Sequence, residues 1–157
     1  MLMKEFELHL YRMAWSMLRH DADCADAVQE AILKAYQSLH TLREPAFFKT
    51  WIFRILINEC NKLLNKRTPS FAGAELQSSP SGLVEYENID LRELVDHLEE
   101  SLRIVIILHY FHDLPLVQIA DVLGISNGAV KTRLHRGRKQ LFSWLKNTPE
   151  RTMRCGT

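Results

Sequence analysis

Residues 116–141, LVQIADVLGISNGAVKTRLHRGRKQL, leave the chain little freedom of fold. Ile119, Ala120 and Leu123 recur at helical spacing and line one face of a short helix. Gly124 follows, where a helix that stops and reverses needs a residue tolerant of positive φ. Ser126 can then cap a second helix, its hydroxyl accepting from a free backbone N–H. In that helix Val130, Leu134 and Leu141 face inward, while Lys131, Thr132, His135, Arg136, Arg138 and Lys139 face outward. Two helices crossing at close range need compact residues at the crossing, and Ala120, Gly124 and Val130 supply them. This is the helix-turn-helix pattern, in which the second helix enters the major groove of duplex DNA.

A helical hairpin with a solvated basic face would read similarly, and charge decides between the two. Residues 126–146 hold six Lys or Arg and no Asp or Glu. A face kept soluble by charge usually mixes signs, whereas one that meets phosphates does not. The whole chain carries a net charge of only +1, which excludes a uniformly basic coat. Residues 85–100 hold seven acidic residues against Arg92 alone. Such segregation points to two surfaces with different partners.

The rest of the chain predicts an all-α fold of two small helical domains. Residues 1–67 contain no Gly and one proline, Pro45. Phe6, Leu10, Met13, Met17 and Leu18 repeat at three- and four-residue intervals, an amphipathic first helix. Residues 21–23 break it, and Asp23 is expected to cap a second helix whose inward stripe is Ala25, Val28, Ile32, Ala35 and Leu39. Residues 41–45 are a loop, since a residue before proline leaves the helical region. A third helix is expected over 46–66, with Ile52, Leu56, Leu63 and Leu64 in the core and Arg54, Asn58, Asn61, Lys62, Asn65 and Lys66 on a cationic flank. Phe47, Phe48, Trp51 and Phe53 stand near its start. Aromatics beside cations and amides suit single-stranded nucleic acid, whose unstacked bases need flat faces and whose backbone needs positive charge. Phe47 and Phe53 are read as core, which leaves one or two of the four rings to be exposed.

Residues 68–84 hold two Pro, two Gly, four Ser and no basic residue, the composition of a linker. Fully stretched it spans on the order of 55–60 Å. Residues 85–146 form the second domain, with Leu91, Leu94, Val95, Leu98, Leu102, Val105 and Ile106 at core spacing and Pro115 placed to start the DNA-reading pair. Residues 147–157 lose periodicity and read as a tail.

Other function classes find no support in the sequence. No phosphate-binding glycine loop or nucleophile elbow is present. The seven histidines show no metal-ligand spacing, so no metal or cofactor is expected, and no acid–base pair argues for catalysis. Cys24, Cys60 and Cys155 form no CxxC, consistent with a reducing cytoplasm. Glu5 and Glu7 interrupt any signal-peptide core, and the longest aliphatic run, residues 104–108, is far short of a membrane span.

Two motifs then point to a family. Residues 26–36 (DAVQEAILKAY), residues 48–55 (FKTWIFRI), Asn58 and the basic run 62–67 resemble region 2 of bacterial RNA polymerase sigma factors. Residues 118–126 (QIADVLGIS) and 128–138 (GAVKTRLHRGR) resemble their region 4. Two such regions joined by a short linker are similar to the extracytoplasmic-function subgroup, and the resemblance covers about residues 5–146.

The resemblance implies that Asp26, Gln29, Glu30 and Lys34 bind the clamp helices of core RNA polymerase. It implies capture of the non-template −10 strand by the loop 41–45 and by Phe48, Lys49, Thr50, Trp51, Arg54, Asn58, Lys62, Lys66 and Arg67. The −35 duplex would meet Ser126, Asn127, Gly128, Lys131, Thr132, Arg133, His135, Arg136, Arg138 and Lys139, and the second domain would dock on the polymerase flap. An anti-sigma protein, often membrane-bound, commonly holds such factors inactive. The competing reading is a free-standing helix-turn-helix regulator with a helical sensor domain. It requires a ligand or phosphoacceptor site within residues 1–67 and has no use for the aromatic and cationic helix found there.

Overall fold

The computed structural model describes residues 2–67 and 89–147, and all regular structure among them is helical. The elements are α1 (Leu2–Leu18), α2 (Asp21–Gln37), α3 (Phe48–Lys66), α4 (Ile89–Asp96), α5 (Glu100–Ile106), α6 (Leu116–Leu123) and α7 (Asn127–Asn147). Two 3-10 turns, Leu39–Thr41 and Pro45–Phe47, lead into α3, and a π-helical turn, Ile107–Phe111, extends α5. The linker and the tail expected over 68–84 and 147–157 lie outside the described residues, save Asn147 at the end of α7.

α1, α2 and α3 pack around Leu10, Met13, Ala14, Met17, Phe53, Leu56 and Cys60, all buried. The break between α1 and α2 falls at Arg19 and His20, two residues earlier than expected. Arg19 has φ 51°, and His20 is extended, at φ −140°. His20, not Asp23, caps α2, because its Nδ1 accepts from the Asp23 N–H at 3.3 Å. Asp23 sits within the first turn, favoured there by the helix dipole, and its carboxylate pairs with Arg67.

The core face of α2 is also rotated from the expected stripe. Cys24, Ala27, Val28, Ala31 and Ala35 are buried, Ile32 is half-buried, and Ala25 is exposed. Leu39 lies past the helix in the 3-10 turn and is 52% exposed. α2 packs through its smallest side chains, which bring its backbone close to its neighbours. α3 begins two residues later than expected, after Pro45 opens a 3-10 turn. Phe53 is fully buried, but Phe47, expected in the core, is 50% exposed on that turn.

The helical run before the α6–α7 pair is broken at residues 97–99. Arg103, 7% exposed, braces this break. Its guanidinium donates to the carbonyls of Leu98 at 3.0 Å and Asp96 at 3.3 Å, satisfying groups left open where α4 ends. Val95, Leu98, Leu102, Val105 and Ile106 are buried, Leu94 is half-buried, and Leu91, expected in the core, is 40% exposed.

The helix-turn-helix pair forms as its sequence dictates. Gly124 closes α6 at φ 65°, in the left-handed region. The Ser126 hydroxyl accepts from the Ala129 N–H at 3.1 Å and caps α7. Pro115 stands at the N-cap of α6, its carbonyl accepting from Ile119 N–H at 3.0 Å. Val130, Leu134 and Leu141 are buried. Gly137 marks the closest approach of α7 to α5: a Cβ there would meet Ile106 Cγ1 at 2.9 Å.

The two halves also pack on each other, α5 against α1 and α6 against α3, and their cores are contiguous. At the junction the Phe53 ring lies 4.6 Å from that of His112.

Gly137→Leu is expected to lower the unfolding free energy by about 1–3 kcal/mol, the usual range for overpacking, despite the better helix propensity of leucine. Urea denaturation followed by circular dichroism checks this, and unchanged stability would mean that the α5–α7 contact yields freely.

Candidate nucleic-acid interface

α7 presents its polar face outward. Lys131, Thr132, His135, Arg136, Arg138 and Lys139 are all exposed, as are Ser126, Asn127 and Gly128 at its start; Arg133 is half-buried. Buried Val130 and Leu134 fix the rotation of the helix, so this outer face follows from its core face. Thr132 turns its hydroxyl back to the Gly128 carbonyl at 2.9 Å. Arg138 is held in place, its guanidinium 5.4 Å from the Tyr110 ring centre and its Nε donating to the Tyr110 hydroxyl. Tyr110 was not singled out by sequence, since it stands outside the core-spaced positions of that run.

α3 splits its cationic flank between three settings. Thr50 is buried and donates to Gln118 Oε1 of α6 at 2.6 Å. Arg54 pairs with the carboxylate of Asp121, also on α6. Phe48 and Trp51 are half-buried, with ring centres 5.9 Å apart, and Phe48 also lies on Phe6; Lys49 beside them is half-buried. Asn58, Lys62 and Lys66 are exposed farther along. Arg67 turns back, donating to the Leu18 carbonyl at 3.0 Å and to Asp23, so it holds α3 to α1 and α2. The residues expected along one strand-binding track are therefore not all brought together.

The middle of α3 opens instead onto a groove against α2. The groove has a volume of about 550 Å³ and is lined by Lys34, Gln37, Ser38, Ile55, Asn58, Glu59 and Lys62. Glu59 is buried and accepts from both Lys34 and Lys62, the latter at 3.0 Å. Burial alone would raise its carboxyl, but the two ammonium donors outweigh that and hold it below the usual range. The hydrogen bond to Glu59 in turn raises Lys34. An apolar wall at Ile55, an amide at Asn58 and two fixed cations suit an unstacked base with its phosphate. Gln37, Ser38, Ile55 and Glu59 escaped the sequence reading; the discoverable signal was Glu59, a lone acid within a cationic helix.

Lys34 thus faces the groove, while Asp26, Gln29 and Glu30 stay exposed on the outer face of α2. Leu33, 54% exposed, and Tyr36, 78% exposed, follow them along the helix. They too were missed, since they fall on neither the inward stripe nor the polar positions read from the sequence. Among the described residues no three His, Cys, Asp or Glu side chains converge as a metal site, and no helix is long and apolar enough to cross a membrane.

Residues 2–69 match the family described as Sigma-70 region 2, and residues 88–141 match Sigma-70, region 4. The RNA polymerase sigma factor SigV of Bacillus subtilis is 35% identical over 132 residues, which cover 82% of this chain and 80% of that protein. The ECF RNA polymerase sigma-E factor of Escherichia coli K12 is 32% identical over 139 residues, 76% of this chain and 72% of its own. Among solved structures, the sigma factor RpoE of Bartonella quintana, in complex with the anti-sigma factor NepR, superposes with a TM-score of 0.75 at 25% identity, covering 93% of this chain and 97% of its own. CnrH, in complex with the cytosolic domain of CnrY, gives a TM-score of 0.63 at 25% identity over 92% of this chain and 85% of its own. Both regions in their expected order, with relatives alike across most of their length, place the chain in the extracytoplasmic-function family of RNA polymerase sigma factors.

Proposed function

We propose that the chain binds core RNA polymerase and directs transcription initiation at promoters, reading the −35 duplex with α7 and the melted −10 strand with α3. The observation that carries this is the coexistence of two unlike nucleic-acid faces: an exposed, wholly cationic reading helix and a groove shaped for one unstacked base. Duplex readout needs the first, and strand capture needs the second. A free-standing regulator needs only the first.

In this reading Asn58 addresses the base edge, Ile55 gives it an apolar wall, and Lys34 and Lys62 attract the backbone, with Glu59 fixing both ammonium groups. The outer face of α2, Asp26, Gln29 and Glu30 around Leu33 and Tyr36, docks on the polymerase clamp. Exposed large apolar side chains ringed by polar ones are the usual make-up of a protein interface. The second domain also meets the polymerase flap. The chain works in the cytoplasm, where an anti-sigma protein, in some settings membrane-bound, holds it inactive. The superposition on sigma factors bound to anti-sigma factors supports reading the docked arrangement of α3 and α6 as the held state.

Run-off transcription with purified core polymerase and a promoter library tests the reading; no binding to core and no initiation on any promoter would reject it. Three variants separate the roles. Arg136→Ala should weaken duplex binding and lower the slope of log K against log salt by about one unit, as for one lost phosphate contact. Asn58→Ala should leave −35 duplex binding unchanged and reduce open-complex formation about tenfold, on the scale of one lost base contact at about 1–3 kcal/mol; potassium permanganate footprinting of the melted strand reads this. Tyr36→Ala should weaken association with core polymerase by about 1–2 kcal/mol, as for an aromatic anchor, in a fluorescence-anisotropy titration without DNA.

A further inference from the structure

The seam between the two halves holds a histidine cluster for which DNA binding gives no reason. His112 lies just before α6 and is 4% exposed. Its ring is 4.6 Å from the Phe53 ring of α3 and 5.5 Å from the His9 ring of α1, edge-on. Both neighbours belong to the first domain, so the other half of the chain takes part in covering the ring. The charged groups around the pair are mostly cationic: Arg12 from α1, Lys49 from α3 and Arg92 from α4. Glu5 of α1 faces His9 alone, and Asp113, next in sequence, is exposed at φ 55°. Among the described residues a second positive charge has little to answer it here.

We infer that His112, with His9 beside it, is an acid-operated release for the docked second domain: a proton on this pair separates α5 and α6 from α1 and α3. Separation returns the His112 ring to water and moves it away from His9, Lys49 and Arg12. It also frees Thr50 from Gln118 and Arg54 from Asp121. The inference concerns the docking itself and stands whether or not the freed faces bind promoter DNA.

The sign follows from the ring's surroundings. Burial first, then His9, Lys49, Arg92 and Arg12, push His112 down to about 3 when docked. In water the ring titrates near ~6.5. The proton is therefore held more tightly in the undocked state. Docking is at full strength above about pH 6.5 and weakens by up to tenfold per pH unit as pH falls below that value towards about 3. His9 is also lowered, burial being the largest cause, and adds in the same direction. Asp96 of α4 moves the other way: burial raises its carboxyl, so its protonation works against release.

The test is single-molecule energy transfer in the full chain, with dyes on Asn61→Cys and Gln140→Cys, both exposed positions, and Cys155→Ser to leave only buried native thiols. Between pH 7.5 and 5.5 at constant ionic strength, the ratio of low-transfer to high-transfer molecules should rise about tenfold. In His112→Phe, which keeps a ring on Phe53 but takes no proton, the rise should be less than about twofold. Circular dichroism at both pH values confirms that helices persist, and His112→Gln replaces the Phe variant if that one does not fold. A ratio that stays constant in the parent chain, or rises as steeply in the non-titrating variant, overturns the inference.

Discussion

The two halves of this chain meet on one ring. Phe53 is fully buried and stands in both cores at once, 6.1 Å from Phe6 within the first domain and 4.6 Å from His112 of the second. α3 is therefore divided along its length. Its first half packs inward and against α6, and its second half faces the α2 groove and solvent. The cationic flank cannot be one uninterrupted track while Thr50 and Arg54 are engaged by Gln118 and Asp121.

The strength of that engagement sets what it can do. The Arg54–Asp121 pair joins two side chains that are 41% and 63% exposed, so solvent screens it to at most about 1 kcal/mol. The Thr50–Gln118 hydrogen bond is part-buried and contributes about 1 kcal/mol net. Neither is strong. The apolar contact around Phe53 and His112, the packing of α5 on α1 and the Arg19 guanidinium donating to the Asp96 carbonyl add to them. The seam thus joins a contiguous apolar core to two polar contacts at its edge.

What the sequence disclosed was local. Gly124, Ser126 and the spacing of Val130, Leu134 and Leu141 determine the α6–α7 pair within a few residues of themselves, and all five take their expected places. What it concealed depends on distance along the chain. The inward face of α2 is set by how closely three helices approach, a condition met by Cys24, Ala27 and Ala31 and invisible to a count of large apolar residues. The break between α4 and α5 is braced by Arg103 turning back to carbonyls, which periodicity cannot register. The groove needs Glu59 buried between lysines from two helices. The aromatic cluster showed the same split: Phe53 is core as expected, but Phe47 is lifted outward by the 3-10 turn that Pro45 begins.

Under the proposed function, the outer face of α7 and the start of α3 differ in their availability, and that difference implies an order of events. The outer residues of α7 are exposed while α6 covers the start of α3, so a docked chain can offer its cationic helix to a duplex at once. Phosphate contacts of that kind act over a Debye length, about 8–10 Å at ordinary ionic strength, and need no rearrangement. Thr50 and Arg54, at the start of α3, are engaged by Gln118 and Asp121 and come free only on undocking. Under the proposed function, the seam between α3 and α6 keeps the start of α3 covered until other contacts favour the separated state, while the groove at Asn58 stays open. A partner that binds the docked arrangement lengthens that delay, and one that binds the faces α6 covers ends it. Each shifts the balance only by its difference in affinity for the two states.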